Sequence, residues 1–315
     1  MLNWSDRPAP GRRSLGRRRL LVAATGVSAL GLLALQAAPA GAAPPRVHAT
    51  PVGTAGRAAG DHSAGRVVGR LAAPLSGGGY LYAEDGTCPD GITVYQVTGR
   101  TLTQVEQVSV GCSNGTYFGN HHLAVTAVGG TDCLVFSDDG DGLVDSFAIA
   151  ANGQIPTTPT SSVTVGGRPG DLAVNGSAVY ESNVDAGTID AFTLGSGCTM
   201  TLDSQNSTNG ETDYNIGVAR GDVVSADNNT GDLVAYAPQD NGTLEQTVTA
   251  PGQIAEPGGI AVLSKGAATN VYTGQTTLSP PQAQGEHFTG TSFSPAGVAT
   301  DTSSGVGDGA SVAGS

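Results

Sequence analysis

A block of about sixteen residues returns along this chain, and the return leaves few folds open. It reads VYESNVDAGTIDAFTL at Val179–Leu194, two short apolar runs around a polar turn. Related blocks stand at Leu81–Val97, Leu134–Ile149 and Val223–Pro238, and a weaker copy begins at Val271. The second run of each full block carries an aligned aromatic: Tyr95, Phe147, Phe192 and Tyr236, spaced 52, 45 and 44 residues apart. A second marker lies upstream, read as HLAV, DLAV, NIGV and GIAV; its Leu123, Leu172, Ile216 and Ile260 are spaced 49, 44 and 44. Two markers with one period of 40–50 residues and several short strands per unit predict the blades of a β-propeller.

The runs read as strands because they are short, rich in Val, Ile, Thr and Tyr, and bounded by Gly, Asn and Asp. Several are apolar on both faces, as at Leu233–Tyr236, which suits a sheet sandwiched between neighbours. The 48 Gly and 17 Pro argue against long helices. The expected fold is all-β, a propeller of four-stranded blades with about five recognisable units at residues 77–290. The ring is then either small or incomplete.

The flanks differ. Residues 1–43 open with Arg12, Arg13, Arg17, Arg18 and Arg19, continue into the apolar run Leu20–Ala38, and offer small-residue cleavage sites at Ala38-Pro39-Ala40 and Ala40-Gly41-Ala42. This predicts a cleaved secretion signal, ordinary or twin-arginine in type, and a secreted protein with no membrane span once the leader is removed. Residues 44–76 are Ala, Gly and Pro rich and read as a linker, with one short strand near Arg66–Ala72 that could complete the last blade. Residues 291–315 hold few apolar side chains and read as a disordered tail.

Charge narrows the partners. Residues 71–315 carry 4 Lys and Arg against 25 Asp and Glu, a net charge of −21. Such a body repels nucleic acid. The expected partners are a small molecule or an extracellular protein or polymer. An aromatic sugar platform is disfavoured, since Trp4 in the leader is the one Trp.

Four cysteines in an exported chain suggest two disulfides, with three possible pairings. With blade strands lettered a to d from the axis outward, Cys88 falls in a b–c turn and Cys112 in a d–a connection, on one face. Cys133 falls in an a–b turn and Cys198 in a c–d turn, on the other. Topology therefore favours Cys88–Cys112 and Cys133–Cys198.

Tyr180-Glu181-Ser182-Asn183, a turn, Gly187-Thr188-Ile189 and an aromatic resemble a YVTN-type propeller repeat. The blade pattern over residues 77–275 is similar to the lactonase-like propellers, which include bacterial 6-phosphogluconolactonase. That resemblance implies a central site and lactone hydrolysis. In the family Pro-Arg-His often precedes the inner strand; here the matching triplets are Asn120-His121-His122, Pro169-Gly170-Asp171, Asp213-Tyr214-Asn215 and Pro257-Gly258-Gly259, none of them Pro-Arg-His.

Candidate chemistry falls in two places. His121, His122 and Asp171 are the candidate catalytic residues. His122, Asp171 and Asn215 hold equivalent places on consecutive blades and should converge on the axis, where a His beside a carboxylate is a general base for water. Arg168, Asn215 and Tyr117 are the candidate substrate-binding residues, Arg168 for a substrate carboxylate. The second place is SDDGDGLVD at Ser137–Asp145. Asp139, Asp141 and Asp145 with Gly142 fit the core of a loop-type calcium site, and Ser137 stands where longer versions carry Asp. Polar turn chemistry alone explains the same residues. Calcium is the one cofactor the sequence nominates, and none is assured. No nucleophile elbow, zinc-type His/Cys spacing or phosphate-binding glycine loop is present. Two function classes follow: a secreted binding or scaffold propeller without chemistry of its own, or a lactone or ester hydrolase at the channel mouth.

Overall fold

Polar-bounded runs pair with their sequence neighbours throughout, so every sheet is built locally. The computed structural model describes residues 67–75, 78–85, 90–99, 101–111, 122–208, 213–227, 230–251, 257–265, 267–275 and 282–300. The leader, His121, Tyr117 and the expected Cys88–Cys112 bridge lie outside the described residues.

Five antiparallel sheets of four strands follow one another. The first comprises β1 (Val67–Leu75), β2 (Gly78–Asp85), β3 (Asp90–Thr98) and β4 (Thr101–Gly111). The second comprises β5 (His122–Val128), β6 (Thr131–Asp138), β7 (Leu143–Ala148) and β8 (Ser161–Thr164). The third comprises β9 (Pro169–Asn175), β10 (Ala178–Asn183), β11 (Thr188–Leu194) and β12 (Met200–Ser207). The fourth comprises β13 (Asp213–Ala219), β14 (Asp222–Asp227), β15 (Leu233–Pro238) and β16 (Leu244–Ala250). The fifth comprises β17 (Pro257–Lys265), β18 (Ala268–Gln275), β19 (Gln282–Phe288) and β20 (Phe293–Thr300). First strands of successive sheets lie side by side, which is the radial arrangement of a propeller. Among the described residues the first and fifth sheets do not pack together, so the ring is open.

The repeat markers have a physical meaning. In the first four sheets the opening residue of the second apolar run pairs directly with the aligned aromatic: Leu81 with Tyr95, Leu134 with Phe147, Val179 with Phe192, Val223 with Tyr236. In the second, third and fourth sheets these pairs are buried and pack on the sheet before them. Leu81 and Tyr95 are only half-buried, and among the described residues no sheet precedes theirs. Each fully buried Phe removes apolar surface from water worth roughly 2–3 kcal/mol. In the fifth sheet Val271 faces Glu286 instead of an aromatic, which is why this copy is weak in the sequence. Its adhesion comes from Phe288, fully buried and stacked on Phe293 with ring centroids 4.7 Å apart.

Both flanks correct the expected boundaries. β1 pairs with β2 and belongs to the first sheet; it does not complete the last one. β20 pairs with β19, so strand structure runs past residue 290. The strand expected near Arg66–Ala72 is found, with a different partner; composition hid β20, since ladder pairing satisfies backbone groups whatever the side chains.

The Cys133–Cys198 bridge is present, with Cα atoms 5.6 Å apart. Cys133 lies within β6, not in the preceding turn, and Cys198 ends a 3-10 turn between β11 and β12. The bridge ties the second sheet to the third. No described helix is long and apolar enough to cross a membrane.

Candidate functional site

The first strands converge, and their opening residues meet between the second and third sheets. His122 opens β5 opposite Ser137 of β6. Its backbone N–H donates to Ser137 Oγ at 2.9 Å. The Ser137 hydroxyl in turn donates to the Gly170 carbonyl of β9, in the next sheet, at 2.7 Å. Ser137 is therefore a bridge between sheets.

Asp171 follows Gly170. Its Oδ1 lies 3.1 Å from His122 Nδ1, and the side chains are 4% and 19% exposed respectively. Oδ1 also accepts the N–H of Leu172 at 2.8 Å, while Oδ2 accepts the N–H of Ile216 on β13 at 3.0 Å. One buried carboxylate thus joins three consecutive sheets. With Nδ1–H turned to Asp171, the lone pair of the neutral imidazole lies on Nε2, the position a general base uses. Asn215, also buried, precedes the residue that Asp171 grips.

A bulge in the third sheet aims Asp171. Along the β9–β10 ladder Leu172 pairs with Glu181, and the next pair is Pro169 with Asn183. Gly170 and Asp171 together stand against Ser182, so the ladder supplies no acceptor for their N–H groups. Side chains do: Glu181 Oε1 accepts from Gly170 at 2.8 Å, and Ser182 Oγ accepts from Asp171 at 2.9 Å. A Cβ at position 170 would sit 2.9 Å from both the carbonyl oxygen and Oγ of Ser182, which accounts for the glycine.

Glu181 was not singled out by the sequence. It is fully buried, and its Oε2 has no hydrogen-bond partner among the described residues. Burial first, then the charge of Asp190, hold its carboxyl well above the usual carboxylate range; the Gly170 N–H opposes them and the Asp171 charge adds to them. Asp190 is likewise raised by burial, against hydrogen bonds from Gln205, Thr188 and Asn183. The one signal was positional: Phe136, Ser225 and Thr273 hold the place of Glu181 in the second, fourth and fifth sheets.

Arg168 faces Asp185. Its Nε lies 3.6 Å from Asp185 Oδ1 within the third sheet, both near the surface. In the Ser137–Asp145 turn, Asp138 Oδ1 accepts the N–H groups of Gly140 and Asp141 at 3.0 and 3.1 Å, closing the turn on itself. Asp145 is buried on β7 and accepts the Ser162 hydroxyl. Burial raises its carboxyl, the Ser162 bond opposes this, and Asp141 adds to it. Among the described residues no group of three or more His, Cys, Asp or Glu side chains is set to hold a metal ion.

No family model matches the sequence, and no curated protein matches it. Solved structures do match in shape. Two are proteins of Bacteroides fragilis and Bacteroides uniformis provisionally named 6-phosphogluconolactonases. The first aligns at a TM-score of 0.57 and 12% identity over 75% of this chain and 70% of that one. The second aligns at 0.55 and 12% over 70% and 68%. A periplasmic gluconolactonase of Pseudomonas aeruginosa aligns at 0.51 and 15% over 70% and 69%. At such identities the likeness concerns the fold: the chain has the architecture of lactonase-like propellers.

Proposed function

Starting from a fold shared with lactonase-like propellers, we propose that this protein hydrolyses a lactone or ester where its first strands converge, with His122 as general base. The observation that carries the reading is the 3.1 Å contact between His122 Nδ1 and Asp171 Oδ1, made across two sheets. Asp171 orients the ring and stabilises the imidazolium. Nε2 takes a proton from water as the water oxygen attacks the carbonyl carbon. The tetrahedral adduct then breaks its C–O bond, and the leaving oxygen takes the proton back from the imidazolium. The product is a hydroxy acid, or an acid and an alcohol. General-base help of this kind is worth roughly 10²–10⁴ in rate. The names of the structural neighbours support the substrate class.

The basic, apolar leader and the disulfide support export as the setting for this activity. A net charge of −21 over residues 71–315 favours neutral or cationic ligands over nucleic acid.

A panel of lactones and aryl esters tests the proposal on the full chain and on the His121→Ala/His122→Ala double variant. Turnover in the parent and its loss in the variant are expected. Equal turnover in both, or none in the parent, removes the hydrolase reading. What would then stand is the binding or scaffold propeller, favoured by one observation: both Asp171 oxygens accept backbone N–H groups, of Leu172 and Ile216, and so latch sheets together without any chemistry.

A further inference from the structure

The bulge at Gly170–Asp171 recurs in outline. The β13–β14 ladder shifts register between Asp213 and Asn215, and the β17–β18 ladder between Pro257 and Gly259. Of these three ladders, that of the third sheet alone sets a carboxyl at this place among the described residues, since Ser225 and Thr273 stand where Glu181 does. Gly170 leaves no room for a side chain, so β9 is held there through its backbone alone. Glu181 takes the Gly170 N–H from one side, and Ser137 gives its hydroxyl proton to the Gly170 carbonyl from the other. The Ser137 oxygen also accepts the N–H of His122. A closed circuit results. It runs from the His122 backbone through Ser137 to Gly170, along the peptide to Asp171, and back through its carboxylate to the His122 ring.

We propose that Ser137 and Glu181 are positioning residues for the His122–Asp171 pair, clamping the Gly170 peptide from two sheets so that Asp171 faces the imidazole of the neighbouring one. For its effect on turnover this rests on the hydrolase reading; for the geometry of the pair it does not. Glu181 acts as a neutral acid. It is fully buried, its Oε2 has no hydrogen-bond partner among the described residues, and Asp171 and Asp190 both oppose a further charge beside it. A neutral acceptor in that place is mimicked by glutamine. The clamp works by registration: loss of either bond lets the bulge relax toward an ordinary ladder, which turns Asp171 away from the ring.

The test is 15N NMR of the full chain labelled at histidine, at about pH 8, above the ordinary imidazole range. The His122 resonance is assigned by its loss in His122→Gln. The parent is expected to hold His122 as the Nδ1–H tautomer. Ser137→Ala and Glu181→Ala are expected to lower the ratio of Nδ1–H to Nε2–H by about tenfold, the factor set by one hydrogen bond of ordinary strength. Glu181→Gln is expected to keep the parent ratio. Should Glu181→Ala fail to fold, Ser137→Ala removes only one hydroxyl and decides alone. Folded variants whose His122 ratio equals that of the parent overturn the proposal. Steady-state rates separate the two ideas. A tautomer shift with kcat reduced and KM unchanged supports both. A tautomer shift in a parent that turns over nothing supports the clamp and sinks the hydrolase.

Discussion

The junction between the second and third sheets and that between the fourth and fifth use the same strand plan and are held by different forces. At the first junction a disulfide joins β6 to the turn before β12. Around it, buried hydroxyls reach across to carbonyls: Ser146 to Cys198 at 2.6 Å, Ser137 to Gly170 at 2.7 Å, Thr126 to Gly176 at 2.7 Å. The His122–Asp171 contact belongs to the same seam. The second junction is apolar: Val224, Ala226, Leu233 and Ala235 of one sheet meet Val271 and Phe288 of the other. A polar tie there, from Arg220 Nη1 to the Ala267 carbonyl at 2.9 Å, lies at the exposed rim. Apolar contact is non-directional and tolerates small slips. Hydrogen bonds and a covalent bridge fix angle and register. The candidate chemistry lies where the directional ties are.

Variants at the two junctions should separate these forces. The largest effect is expected at the apolar one. Phe288→Ala removes a fully buried ring and should cost about 3–5 kcal/mol in urea unfolding, with little effect on the His122 tautomer. An effect on both would mean that the junctions are coupled. Next comes the covalent tie: replacing Cys133 and Cys198 by Ala opens a loop of 65 residues and should cost about 2–4 kcal/mol. Amide exchange should then quicken in β9 and β10 while β17 and β18 keep their rates. Ser146→Ala is a smaller cut at the same seam. It strands the Cys198 carbonyl and should cost about 1–2 kcal/mol by the same unfolding assay.

The effect of pH is a slope. Folding holds the Glu181 proton more tightly than the unfolded chain does, mainly through burial. The stability this contributes is fully present below the ordinary carboxylate range, at about pH 4, and is lost as pH rises toward the raised folded value. Asp190 and Asp145 are shifted in the same direction. The melting temperature of the parent should therefore fall across this window more steeply than that of Glu181→Gln. Parallel slopes would place the buried charge elsewhere. The smallest expected effect is nil: the Ser137–Asp145 turn closes on Asp138, so a chelator should leave the melting curve unmoved.

Much of this was legible from spacing. The aligned aromatics located the second and third strands of four sheets, because an aromatic opposite an aliphatic is what seals each sheet to the one before. The upstream marker located the first strands, and with them His122 and Asp171 as residues that converge. Other parts were silent for physical reasons. β20 has linker-like composition because an outer strand needs backbone pairing more than apolar side chains, and β1, legible as a short strand near Arg66–Ala72, gave no sign of the sheet it joins. Glu286 replaces the aromatic of the fifth sheet, so the periodicity fades there. Ser137 was read as a member of an acidic turn, yet it lies within β6 with its hydroxyl turned to the next sheet. Glu181 looked like any polar residue in a strand; its burial follows from the sheet packed against it, which no local pattern records.

The central claim is that His122 and Asp171 act as one unit across two sheets. A double-mutant cycle on kcat/KM for a turned-over lactone or ester tests it most directly, with His122→Ala, Asp171→Asn and both together. If the two form one device, the second change should cost almost nothing once the first is made. Losses that simply multiply, or an Asp171→Asn variant as active as the parent, would contradict it.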